Sequence, residues 1–154
     1  MKHAVAVVVL FGVLMSGIGC HKETEEDKVK KVITVIQKAA EEKEVKKIIA
    51  SLSKTYRDPQ GFDYDSIKGV LLGYFFRHQK ISVYITGLEV IVEDATARAA
   101  FQAVLSGGNT AGSAADLLPE ALGMYVFEVS LRKESEEWKV SSAKWERVGE
   151  TKEN

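Results

Sequence analysis

Metal chemistry requires His, Cys or carboxylate side chains gathered at ligand spacing. The chain has three histidines, His3, His21 and His78, and a single cysteine, Cys20. They form no cluster, so no metal site is predicted. Asp58, Asp63 and Asp65 gather around Gly61, but a calcium loop places its acids at alternate positions, glycine at the sixth and glutamate at the twelfth. The run Ser106-Gly107-Gly108-Asn109 lacks the lysine and following helix of a phosphate loop, and no cofactor is predicted. Acid–base chemistry would need a carboxyl or imidazole inside an apolar cavity, beside a donor such as tyrosine. Asp58 stands at a helix end before Pro59, and His78 stands at another helix end beside Arg77. Glu128 alternates opposite the aromatic face of its strand. None is well placed for catalysis. What remains is a candidate pocket wall of Tyr56, Tyr74, Phe75, Arg98, Phe101 and Tyr125, which would receive a small apolar molecule. The plainer reading is that these aromatics fill the core. Arg98 has its own alternative, a surface ion pair with Glu128 or Glu89 across strands.

The elements that would position these residues follow from periodicity. A helix is predicted from Glu25 to about Ala40, with Val29, Val32, Ile33 and Ile36 on one stripe and an acidic cluster at its positive end. After a break near Glu41–Glu44, a second helix carries Val45, Ile48, Ile49, Leu52 and Tyr56, and Asp58-Pro59-Gln60-Gly61 ends it. Asp63 or Asp65 caps a third helix, Ser66 to about Gln79. The stretch Ile81–Leu105 reads as a hairpin turning at Glu93–Thr96. Its apolar parity changes after Gly87, which predicts a bulge or bend at Thr86-Gly87. The alanine-rich partner, Ala97, Ala99, Ala100 and Ala103 around Phe101, presents a low surface with room for helices or a cavity. Ser106–Gly123 is predicted to be a long irregular connection, with one turn of helix at Asp116–Ala121. Strands from Met124 to Lys133 and from Trp138 to about Val148 follow, the last changing parity between Val140 and Ala143.

The chain has 154 residues, 45% hydrophobic and 28% charged, and a net charge of −1. That is the composition of one globular domain, and its charge gives no field for nucleic acid. Lys2, the uncharged run Ala4–Met15 and the small residues before Cys20 have the layout of a secretory signal peptide. The run is too short for a span of about 20 apolar residues. The residues alone admit an ordinary leader with Cys20 incidental, an uncleaved anchor, or a lipidated cysteine. Leu14-Met15-Ser16-Gly17-Ile18-Gly19-Cys20 resembles a bacterial lipoprotein leader. The resemblance implies cleavage after residue 19, lipidation of Cys20 and a short tether over 20–24. His21 is not the aspartate associated with inner-membrane retention, which points to the outer membrane.

Helices followed by two long hairpins resemble the nuclear transport factor 2-like (cystatin-like cone) superfamily. The matching residues are Leu52-Ser53-Lys54-Thr55-Tyr56-Arg57-Asp58, Tyr74-Phe75-Phe76 running directly into a strand, and Trp138-Lys139-Val140 with Trp145. More narrowly, the chain looks like that superfamily's lipoprotein members. The resemblance covers 25–148, before a frayed tail at 149–154. It implies an α+β fold, with three N-terminal helices packed on a curved, mainly four-stranded antiparallel sheet. The fold leaves function open. The expected function is a membrane-anchored, non-catalytic binding or assembly domain, and the alternative is an isomerase or dehydratase using the cone cavity. Its expected partners are the membrane through Cys20, a small apolar ligand, and a second copy or an envelope protein on the outer sheet face near Val104 and Val126.

Overall fold

The first helix is fixed by its start. In the computed structural model, which describes residues 22–108 and 120–149, the hydroxyl of Thr24 accepts from the Asp27 N–H while the Asp27 carboxylate accepts from the Thr24 N–H at 3.0 Å. This reciprocal cap satisfies amides that a helix start leaves orphaned. Helix α1 then runs Glu25–Glu41 and buries Val29 and Ile33. Lys43 at φ +56° makes the break into α2, Val45–Ala50.

Here the structure corrects the sequence. The second helix stops at Ala50, well short of Tyr56. The segment beyond it runs parallel to β4 (Glu137–Arg147): Ser53 N–H donates to the Val140 carbonyl at 2.8 Å, and Val140 N–H donates to the Ser51 carbonyl at 2.9 Å. The free edge of β4 offers unpaired donors and acceptors, and pairing with it outcompetes two more turns of helix. Leu52 and Tyr56 are buried as the stripe requires. Helix α3, Tyr64–Arg77, starts from an Asp63 cap in which the Asp63 carboxylate accepts from the Ser66 N–H at 2.9 Å while the Ser66 hydroxyl accepts from the Asp63 N–H at 2.8 Å.

The sheet is antiparallel, in the order β1-β2-β3-β4, with β1 Lys80–Glu93, β2 Thr96–Gly108 and β3 Glu120–Glu134. The register slips between Thr86 and Glu89, where Gly87 sits at φ +63°, a backbone conformation costly for any other residue. A second slip, between Ser130 and Leu131, leaves Ser141 of β4 without an opposite residue, which is the parity change read at Val140–Ala143. Both irregularities bend the sheet, and the helices lie on one face of it.

The expected irregular connection is also shorter than the composition implies. Ser106 and Gly107 pair with Ala121 and Glu120 as part of the ladder. Strand pairing uses backbone groups, so a Ser-Gly-Gly run with no side-chain period still extends a strand once both neighbours are present. Of the predicted helical turn, Glu120 and Ala121 lie in β3 and 116–119 lie outside the described residues. The predicted leader, Cys20 and the tail beyond Gly149 also lie outside them. Among the described residues no helix is long and apolar enough to cross a membrane.

Candidate functional site

Helices on one side of a bent sheet do not close completely on it. A cavity of about 310 Å³ lies between them, and its wall includes Leu52, Ile67, Leu71, Val129, Val140 and Trp145. Its floor is an aromatic row laid across three strands by register, because Phe101 stands opposite Phe127 and Phe127 opposite Trp145. The Phe101 and Phe127 rings stack at 5.1 Å, and Phe127 and Trp145 follow at 6.5 Å. Ala99 and Ala103 flank Phe101 on the same face of β2, so side chains are short on either side of the row.

Four of the six predicted wall residues meet here: Tyr56, Tyr74, Phe101 and Tyr125. Phe75 is buried beside an adjoining cavity of about 220 Å³ under α1 and β1. Arg98 does not belong to the wall. It is exposed on the opposite face of the sheet, between Ile91 and Ser130. The reason is parity: Ala97, Ala99, Phe101 and Ala103 point inward, and a residue three positions from Phe101 on an unbroken strand must point out. Its alternative partners are not opposite it either, because Glu128 stands across from Ala100 and Lys144, and Glu89 across from Ala100. Parity also carried the residues that the wall prediction left out. Phe127 shares the face of Tyr125, and Trp145 is the cross-strand neighbour of Phe127.

The polar groups at the wall differ in their commitments. The Tyr56 hydroxyl donates to the Asp58 carboxylate at 2.9 Å, and the other Asp58 oxygen accepts from the Phe62 N–H at 2.9 Å. Asp58 is only 5% exposed, so these bonds stabilise a buried carboxylate. Burial first, and then the neighbouring Asp58, push the Tyr56 phenol far up and keep it protonated. Tyr74 comes from α3 and lines both cavities; its hydroxyl is sealed from solvent and has no hydrogen-bond partner among the described residues. Burial, with Tyr125 adding, raises its pKa as well. His78 caps α3, its N–H donating to the Tyr74 carbonyl at 3.2 Å, with its ring 4.6 Å from the Tyr74 ring. Among the described residues no three His, Cys, Asp or Glu side chains are placed to hold a metal ion. On the outer face, register aligns Tyr84, Val104 and Met124 in one row, all exposed, with Val126 beside them.

No protein-family model and no curated protein matches the sequence. Solved structures do match. A nuclear transport factor 2-like protein with a cystatin-like fold from Novosphingobium aromaticivorans is 11% identical over 82% of this chain and 83% of its own, with a TM-score of 0.66. A candidate dehydratase of the same family from Streptomyces avermitilis is 14% identical over 80% and 96%, TM-score 0.69. Bd1075 of Bdellovibrio bacteriovorus is 13% identical over 84% of this chain, TM-score 0.65, and the chain spans 44% of that longer protein. At these identities the likeness is one of architecture, and the chain has the nuclear transport factor 2-like, cystatin-like fold.

Proposed function

We propose that this chain is a lipid-anchored envelope protein whose domain holds a small apolar molecule in the cavity without transforming it. One observation carries the binding reading: the cavity wall is hydrocarbon and aromatic throughout, with neither carboxylate nor imidazole nor cation among its described residues. Such a wall gains free energy by removing apolar surface from water but offers no group to take up or deliver a proton at neutral pH. Tyr56 and Tyr74, which face it, are held protonated by burial. Anchoring rests on the leader pattern before Cys20, where the two or three acyl chains of a bacterial lipoprotein would bind a membrane stably and a single chain only marginally.

A second reading is favoured by the Tyr56–Asp58 pair, which puts a carboxylate one hydrogen bond behind a cavity hydroxyl, and by the dehydratase description of the Streptomyces neighbour. A third is assembly through the outer row of Tyr84, Val104 and Met124. Native mass spectrometry of protein released from its own membrane in mild detergent separates binding from assembly. Binding predicts a chain whose mass includes acyl groups on Cys20 and a reproducible small molecule. A bare dimer, or a complex with another protein and no small molecule, overturns binding in favour of assembly.

A further inference from the structure

The first residue of Tyr74-Phe75-Phe76 buries a hydroxyl that bonds to nothing among the described residues. An unsatisfied buried hydroxyl is destabilising. The other polar side chains at the two cavities are already engaged or not sealed in. Tyr56 donates to Asp58, and Gln37 donates to the Val83 carbonyl at 2.7 Å. Tyr74 also has a particular place. It lines both the 310 Å³ cavity and the 220 Å³ cavity, together with Ile36, Leu71, Phe101 and Phe127.

Resting on the binding role proposed above, we infer that the Tyr74 hydroxyl is the polar contact of the site, and that its ligand is an elongated apolar molecule with one uncharged oxygen, such as an aryl or alkyl ketone. The phenol donates to that oxygen, and the two cavities take the hydrocarbon on either side. The oxygen must be uncharged because no lysine or arginine is among the described residues lining either cavity, and an unpaired carboxylate is strongly disfavoured in such surroundings. Two apolar chambers meeting at one donor also select against a bare hydrocarbon only weakly, by the value of a single hydrogen bond.

The test uses the full chain in lipid nanodiscs, titrated calorimetrically against empty discs with butyrophenone, n-butylbenzene and 4-phenylbutyrate. The first two share a skeleton and differ by a carbonyl in place of a methylene. In the wild type the ketone is expected to bind at least as tightly as the hydrocarbon, and 4-phenylbutyrate at least tenfold more weakly than either. In Tyr74→Phe the ketone-to-hydrocarbon affinity ratio should fall by about tenfold, the value of one hydrogen bond. Retained butylbenzene binding in the variant shows that the cavity is intact. A ratio unchanged within twofold, or 4-phenylbutyrate binding as well as the ketone, overturns the assignment to Tyr74 and leaves the binding role standing. Failure of all three probes on the wild type overturns the binding role itself.

Discussion

At the scale of single residues, the polar groups that matter are the ones whose partners are fixed by distant parts of the chain. Asp58 accepts from a tyrosine hydroxyl and a backbone amide in a buried setting. Replacing it with alanine leaves two donors unpaired and should cost about 2–4 kcal/mol in urea denaturation. A second variant, Asp58→Asn, should hold butylbenzene affinity within a few-fold, because this carboxylate stands behind Tyr56 and is not itself in the cavity wall. Glu25 is a different case. Its carboxylate receives Lys28 at 2.7 Å and the Trp138 indole N–H at 2.8 Å, and is 3.3 Å from Lys133. Lys28 first, then Trp138, hold it down from its ordinary 4.5 to about 2. A lowered folded-state pKa means stability that is present above the unfolded value and lost as pH falls through the folded one. Stability curves of wild type and Glu25→Gln should therefore differ at pH 7 and converge between about pH 4.5 and pH 2. A gap that persists at pH 2 would assign the effect to packing instead of charge.

At the scale of elements, the informative places are where local preference and pairing disagree. The stripe of Leu52 and Tyr56 fits a helix, but the edge of β4 claims the segment. Burial of those residues was legible because both conformations put them inward; the conformation was not, because the partner lies almost ninety positions away. Hydrogen exchange checks it. The Val140 amide should be strongly protected through the Ser51 carbonyl, and Ser53→Pro, which deletes the neighbouring donor, should accelerate its exchange by at least tenfold. The bulge at Gly87 was legible, since a change of apolar parity within one strand has few other causes. Nothing lies within 4 Å of a Cβ built there, so Gly87→Ala meets only the backbone cost of φ +63°. Its thermal midpoint should fall by the equivalent of about 1 kcal/mol, with cavity binding preserved.

For the whole molecule, the proposed anchoring and assembly readings can each be tested by one substitution. Val104 is 38% exposed and outside the core, so Val104→Lys should leave unfolding stability within about 0.5 kcal/mol. Any change in sedimentation of that variant then reports on the face itself. The proposed lipid anchor predicts that Cys20→Ser moves the protein from the membrane to the soluble fraction of the envelope; a variant that stays with the membrane overturns it. The amino-acid sequence by itself determined the order of helices and hairpins, the bends at Gly87 and between Val140 and Ala143, a cap at Asp63 or Asp65 and the aromatic face of β3, because each depends on periodicity or on chemistry within a few residues. Only the tertiary structure decided that β4 captures the chain after Ala50, that register sets Trp145 beside Phe127 and Phe127 beside Phe101, and that Arg98 faces away from that row. It also decided that the cone is hollow. Whether facing side chains meet or leave space depends on how far apart the backbone holds two elements, and no local pattern of residues encodes that distance.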